Sequence, residues 1–229
     1  MKVEILGEGA FSSALVRLAP GEAFVSESGA MVRASANVDV DVTTRSRGKG
    51  GILAGVKRLL AGESFFLSTY RVTDGRAGEV GLAPVLQGEV RQLALDGSAA
   101  WLCAGASYVG SDAGLELDTQ FQGLKGLFSG EGLFFLRVNG AGTLLVSAFG
   151  ALEELPVDGE LVVDGGHVVA FEESLTYSLG KAGGSWLQSF LGGEGVVLRF
   201  RGRGRLLVQS HNRGEFGSTL GGRLPPRES

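Results

Sequence analysis

The sequence predicts an all-β protein with a few short helices, built from about three internally repeated β units packed as stacked sheets. Its glycines, its short apolar bursts and a recurring order of landmarks point the same way. Thirty-nine glycines against five prolines in 229 residues, without a triplet period, exclude collagen and a helical bundle alike. A glycine inside a helix costs about 1 kcal/mol, so turns and strands must dominate. Val38-Asp39-Val40-Asp41-Val42, Leu115 to Asp118 and Val197 to Arg205 alternate with period two, the pattern of strands with one buried face. Leu133-Phe134-Phe135-Leu136, Leu144-Leu145-Val146 and Val168-Val169-Ala170-Phe171 are continuously apolar and read as strands covered on both faces, which requires stacked sheets. The pairs Asp74-Gly75, Asp96-Gly97, Asn139-Gly140 and Asp158-Gly159 supply positive φ angles and predict tight hairpins.

The repeat is read from order rather than from identity. Gly62-Glu63, Gly130-Glu131 and Gly193-Glu194 each precede an apolar strand, 68 and 63 residues apart. Before each copy stands a short amphipathic stretch with helical spacing: Leu53, Val56 and Leu60; Leu124, Leu127 and Phe128; Trp186, Leu187 and Phe190. Gly21, Gly97 and Gly159 each open an apolar strand in turn. The expected organisation is a single domain over 1–229, with units at approximately 1–90, 91–153 and 154–222 and a flexible tail at 223–229.

A content of 44% hydrophobic and 20% charged residues excludes intrinsic disorder, and no run approaches the roughly 18 apolar residues of a membrane-spanning helix. The net charge of -4 argues against an electrostatically driven nucleic-acid binder. Cys103, the single cysteine, lies in an apolar run, so a buried inert thiol in a reducing compartment is expected. The N-terminal residues reach glycine without a signal or transit pattern, which makes cytoplasmic the expected location.

The run Gly21-Glu-Ala-Phe-Val-Ser-Glu-Ser-Gly-Ala-Met31, and the segment Gly48 to Phe66 through Gly50-Gly51, Lys57-Arg58 and Gly62-Glu63, resemble the altered inheritance of mitochondria protein 24 family. The likeness extends over nearly the whole chain. It implies a fold like the tryptophan RNA-binding attenuator, with β units related by internal duplication, and a bacterial member of undefined biochemical role. Fungal relatives are associated with the mitochondrial inner membrane; without a mitochondrial address, only the bacterial reading carries over. No family catalytic motif maps onto this sequence.

Sites of chemistry are sparse. His167 and His211 could join Glu172 or Glu215 as a two-histidine, one-carboxylate iron site, but neither has a His-x-His neighbour, and hydrogen-bonded or surface histidines are the expectation. No metal or other cofactor is assigned. Gly48-Lys49-Gly50-Gly51 lacks the spacing of a phosphate loop, although Arg45, Arg47 and Lys49 give a basic loop able to meet phosphate or anionic lipid, a peripheral membrane contact. No serine stands in a nucleophile elbow, so no enzyme is indicated. The sharp electrostatic feature is Arg199, Arg201, Arg203 and Arg205, four guanidinium groups on one strand face. Such a stripe either binds an anion or nucleic acid or pairs with protein carboxylates; the pairing is favoured, with Asp39 and Asp41 as an opposed acidic stripe that cross-strand or intersubunit contact would bring to it. Gly202 and Gly204 leave the other face bare for the close approach of a second backbone.

The function expected is a non-enzymatic β scaffold or binding protein acting through self-assembly or partner binding. A homo-oligomer, or a protein partner of unspecified kind, would use the nine amphipathic residues from Leu53 to Phe190 as its interface. The alternative is nucleic-acid or anionic-ligand binding through the arginine-rich strand.

Overall fold

The computed structural model describes residues 1–43, 66–121, 134–180 and 197–225. Apart from two strands of thirteen residues, the strands are short because glycine turns interrupt the apolar runs, and the runs that are apolar on both sides end up between layers. The first sheet has the order β1 (Lys2–Leu6), β2 (Ser13–Leu18), β7 (Gly78–Leu82), β4 (Met31–Ala34). The second runs β5 (Val38–Thr43), β6 (Leu67–Val72), β3 (Ala23–Glu27), β10 (Tyr108–Asp112), β13 (Ala141–Ser147), β8 (Val90–Asp96). The third runs β11 (Glu116–Phe121), β12 (Phe134–Asn139), β9 (Trp101–Ala104), β15 (Val168–Glu172), β17 (Val197–Gln209), β14 (Leu152–Asp164), with β16 (Thr176–Gly180) also paired to β17. A 3₁₀ turn at Gly165–His167 leads into β15, and helix α1 (Arg213–Gly221) follows β17, capped by the Asn212 side chain. The protein is thus an all-β stack with little helix.

Three apolar clusters separate and line these layers. Between the first and second sheets lie Val16, Leu18, Val80 and Leu82 from one side and Phe24, Tyr70, Val109 and Leu145 from the other. Between the second and third lie Val25, Leu144 and Val146 against Trp101, Cys103, Leu136 and Leu207. The outer face of the third sheet carries a cluster of its own, with Leu102, Phe135, Phe171, Phe200 and Leu206. Consecutive residues therefore enter different cores, Leu144 and Leu145 in β13 and Leu206 and Leu207 in β17 among them, as the continuously apolar runs require. On the outer face, Phe171 meets Phe135 edge-on at 5.2 Å and Phe200 at 5.0 Å between ring centroids.

The third sheet can close over that aromatic cluster because β17 is thirteen residues long. Strand β14 follows one edge of it from Val197 to Gln209, while the other edge is shared, β16 pairing with Val197–Arg201 and β15 with Leu206–Val208. Hairpins β5–β6, β11–β12 and β16–β17 pair inward from Thr43↔Leu67, Phe121↔Phe134 and Gly180↔Val197. One strand earlier in each case the ladder slips by one residue, at Met31/Arg33, Tyr108/Gly110 and Val168/Ala170.

The turn pairs do not close the hairpins expected of them. Asp74-Gly75 leads from β6 in the second sheet to β7 in the first, Asp96-Gly97 from β8 in the second to β9 in the third, and Asn139-Gly140 from β12 in the third to β13 in the second. A positive-φ glycine reverses the chain, but here the next strand takes its partners from another layer. Asp158-Gly159 is not a turn at all: it lies inside β14, with Gly159 opposite Gly202 and φ of +113° and +120° at the two. Facing glycines in conformations that L side chains avoid let a thirteen-residue ribbon coil without breaking its ladder. The alternating run at β5 also departs from a one-face-buried strand, since only Val38 packs against a core and Val40 and Val42 are exposed.

Gly88 tests the layer spacing. It bridges Phe11 on one side and Gly150 on the other, and an added Cβ would run into the Ala148 carbonyl oxygen. Gly88→Ala is expected to cost about 3 kcal/mol in denaturant unfolding, whereas Gly114→Ala, which meets nothing within 4 Å, should stay within about 0.5 kcal/mol of wild type.

Candidate functional site

Period two in β17 sends Arg199, Arg201, Arg203 and Arg205 to one face and Phe200, Gly202, Gly204 and Leu206 to the other. The register of β14 decides what the guanidinium groups meet. Glu160 stands opposite Arg201 and Asp158 opposite Arg203. Glu160 receives Arg201 Nε at 2.8 Å through one oxygen and Arg199 diagonally through the other; Arg203 Nη2 reaches Asp158 Oδ2 at 2.8 Å. Arg205 faces Pro156 across the ladder, which offers no acceptor side chain. It turns to Glu172 at the end of β15, Nε to Oε1 at 2.7 Å, with its guanidinium carbon 4.9 Å from the centre of the Trp101 ring.

Glu172 does a second job. Between the stretches of β17 paired to β16 and to β15, the edge of the strand is open, and there the Arg205 backbone N–H donates to Glu172 Oε2 at 3.0 Å. The turn through Ser174 and Leu175 fills the gap. A Cβ on Gly204 would lie 2.5 Å from Ser174 Oγ, and one on Gly202 3.2 Å from the Ser174 carbonyl oxygen. The bare glycine face thus receives a second backbone at close range.

All four arginines meet protein carboxylates, but not those that the sequence suggested. Asp39 and Asp41 lie on β5 in the second sheet, opposite Arg71 and Thr69. The actual counterparts, Asp158 and Glu160 with Glu154 at 3.9 Å from Arg205 Nη1, share a parity in Leu152–Asp164. That parity was a readable signal, masked by Pro156 and by the turn-like Asp158-Gly159. The nine amphipathic residues Leu53, Val56, Leu60, Leu124, Leu127, Phe128, Trp186, Leu187 and Phe190, the three Gly-Glu landmarks and the basic loop at Arg45, Arg47 and Lys49 fall outside the described residues.

The two histidines and Glu172 weighed for a metal site are already engaged. His167 Nδ1 lies 2.7 Å from the Gln209 carbonyl oxygen, and His211 Nδ1 lies 2.7 Å from Ser210 Oγ. Glu172, one of the carboxylates weighed for iron, is held by Arg205. Among the described residues no three histidine, cysteine or acidic side chains cluster as metal ligands would. Cys103 is fully buried between the second and third sheets, and burial pushes its thiol up to about 12, far from a thiolate at neutral pH.

The model of the family described as Mitochondrial biogenesis AIM24 matches residues 3–211, from β1 to just beyond β17. The chain belongs to the AIM24 family. An uncharacterized protein of Streptococcus pyogenes serotype M6 is 34% identical over 205 residues, 87% of this chain and 81% of that protein. An X-ray crystal structure of a Streptococcus pyogenes protein superposes with a TM-score of 0.81 at 28% identity, covering 97% of this chain and 99% of that chain. The AIM24 match thus takes in the three sheets and the whole arginine ribbon and ends before α1. Among the described residues of this AIM24 chain, no helix is long and apolar enough to cross a membrane.

The hydrogen bonds from Arg201 and Arg199 hold the Glu160 carboxyl below its ordinary value of 4.5. A carboxyl lowered in the folded state stabilises above its unfolded value and loses that contribution as pH falls through the folded one. Glu160→Gln is therefore expected to melt slightly below wild type at pH 7, with the difference closing as pH drops below 4.5 and as salt rises. A difference that stays constant across pH in thermal melts would contradict this pairing.

Proposed function

We propose that this AIM24 protein is a non-enzymatic β scaffold of the cytoplasm that acts by self-assembly, with partner binding through the same edge as a further use. The observation that carries the reading is strand β5. Among the described residues it ends the second sheet with no strand on its outer edge, and it leaves Val40 36% and Val42 60% exposed. An apolar strand edge is a template for another strand, and monomeric proteins commonly blunt such edges with charge, proline or a cover. Asp39 and Asp41 alternate with the valines and would restrict which edge can pair there. The chain continues from β5 into the segment holding Leu53, Val56 and Leu60, which extends the apolar character of this end in sequence.

The three hairpins and the three one-residue slips that precede them support a reading of the chain as three versions of one β unit. Such a chain presents three similar strand pairs, a geometry suited to assembly. The use of charge agrees with binding rather than catalysis: the arginine ribbon is spent on carboxylates of its own chain.

A second reading, an anion or nucleic acid on the ribbon, draws on the exposure of the middle of the stripe, where Arg201 is 63% and Arg203 82% exposed at the side chain. A phosphate could exchange with Asp158 there at little cost, because exposed ion pairs contribute little. Arg201→Glu with Arg203→Glu separates the two. We expect it to lower the melting temperature or self-association, by setting like charges beside Asp158 and Glu160, and to leave RNA retention in a salt-series shift assay unchanged. RNA affinity that collapses with fold and assembly intact would favour the second reading.

For the main reading, light scattering coupled to size exclusion should give wild type a mass above the 23.8 kDa monomer, and Val40→Lys with Val42→Lys the monomer mass with an unchanged circular dichroism spectrum. A wild type that remains at monomer mass across concentrations overturns self-assembly through β5.

A further inference from the structure

A cavity of about 200 Å³ opens where the end of β3, the segment from Ala83 to Leu86 and the start of α1 come together. Ala30 and Val109 belong to the apolar cluster between the first two sheets and give this cavity an apolar wall. Two charges of opposite sign line it, Glu27 and Arg213. Both are half-buried, and among the described residues neither side chain makes an ion pair or a hydrogen bond, to the other or to anything else. Arg213 Nε is fully buried without a partner. Burial pushes the Glu27 carboxyl up and pulls the Arg213 guanidinium down, each effect being partly offset by the charge of the other.

This treatment of charge contrasts with the ribbon on β17, where exposed arginines and carboxylates meet at 2.7 to 2.8 Å. Burial makes an unpaired charge costly, so two unpaired opposite charges facing one small cavity imply a third body that satisfies both. That body must present an anion to the guanidinium, a cation to the carboxylate and a short apolar part to Ala30 and Val109. An anion alone would leave Glu27 repelled, and a cation alone would leave Arg213 repelled. The volume accommodates several waters or one compact solute, not a nucleotide or a peptide.

We propose that this cavity binds a small zwitterion of α-amino-acid size, its carboxylate on Arg213, its ammonium on Glu27 and its short side chain against Ala30 and Val109. The site stands apart from the β5 edge and does not depend on self-assembly. It also draws on α1, since Arg213 lies two residues beyond the span matched by the AIM24 model.

Three probes with one carbon skeleton test it on the full chain: L-valine, isovalerate, which lacks the amine, and isobutylamine, which lacks the carboxylate. Valine at millimolar concentration should raise the melting temperature by mass action and give a saturable heat in calorimetry, with the two one-charge analogues about tenfold weaker or more. Glu27→Gln and Arg213→Gln should each abolish the preference for valine. Ala106→Leu, at an exposed position on the cavity rim, should block binding without touching either charge, and so covers the case in which a charge variant fails to fold. No valine binding would mean that water alone occupies the cavity and would overturn the proposal. Isovalerate binding as tightly as valine, or valine binding that survives both charge variants and Ala106→Leu, would overturn it equally.

Discussion

The inner strands of the second sheet, β6, β3, β10 and β13, are largely buried on both faces, and most of the architecture follows from that single constraint. A strand with no solvent face has no inexpensive place for a polar side chain, so most hydroxyls within it find a partner in the sheet, Thr69 Oγ1 in β6 being the exception among the described residues. Ser26 Oγ lies 3.0 Å from Tyr70 OH across the β3–β6 pair, and Tyr108 OH donates to the Val25 carbonyl oxygen at 3.3 Å and lies 2.9 Å from Ser111 Oγ. The same constraint explains why β10 carries glycine at position 110. A Cβ there would lie 2.5 Å from the Phe24 ring and 2.7 Å from the Val25 carbonyl oxygen. The layers are held apart by aromatic and branched side chains and kept in register by the glycines between them.

The third sheet resolves the opposite problem. Its inner face packs on the second sheet, while its outer face meets no further layer among the described residues and covers its own aromatic cluster by coiling. Coiling opens a gap along one edge of β17, and the gap exposes backbone donors. Glu172 closes the electrostatic side of it by accepting both from the Arg205 side chain and from the Arg205 N–H, and the Ser174–Leu175 turn closes the steric side against Gly202 and Gly204. Arginine and glycine alternate in β17 because both faces are needed at once: one to carry the charge ladder to β14, one to admit a backbone. Replacing a glycine there would disturb the ion pairs indirectly, by lifting the turn that positions Glu172.

Much of this was legible in the residues. Continuous apolar runs at Leu144–Val146 and Val168–Phe171 marked strands shared by two cores, because a run without polar alternation suits a strand covered on both faces. Arg199 to Arg205 marked a ladder in need of counter-charge. What the sequence concealed was pairing across distance. Asp158-Gly159 has the chemistry of a hairpin turn, and only its register opposite Gly202 makes it a coil point within a long ribbon. Asp74-Gly75, Asp96-Gly97 and Asn139-Gly140 have turn chemistry and do turn, yet local chemistry cannot say which layer supplies the next strand's partners. Asp39 and Asp41 had the spacing to answer the arginines but stand in another sheet. Arg213 and Glu27 carried no signal at all, being 186 positions apart in ordinary local contexts.

The placement of charge over the molecule gives that last pair its meaning. On the ribbon, where water would solvate each group at little cost, the chain matches every guanidinium with a carboxylate; beside the cavity, where both groups are half-buried, it brings together two opposite charges and, among the described residues, gives neither side chain a partner. If stability alone governed the sequence, the order would be reversed, with apolar residues at the cavity and free charges at the surface, since replacing a buried charged pair by packed hydrophobic side chains is often neutral or favourable. Misfit of this kind tends to mark positions held for a task other than folding. Folding has no use for an open guanidinium and an open carboxylate across a 200 Å³ space with apolar walls, whereas recognition of a compact molecule carrying both charges requires that arrangement.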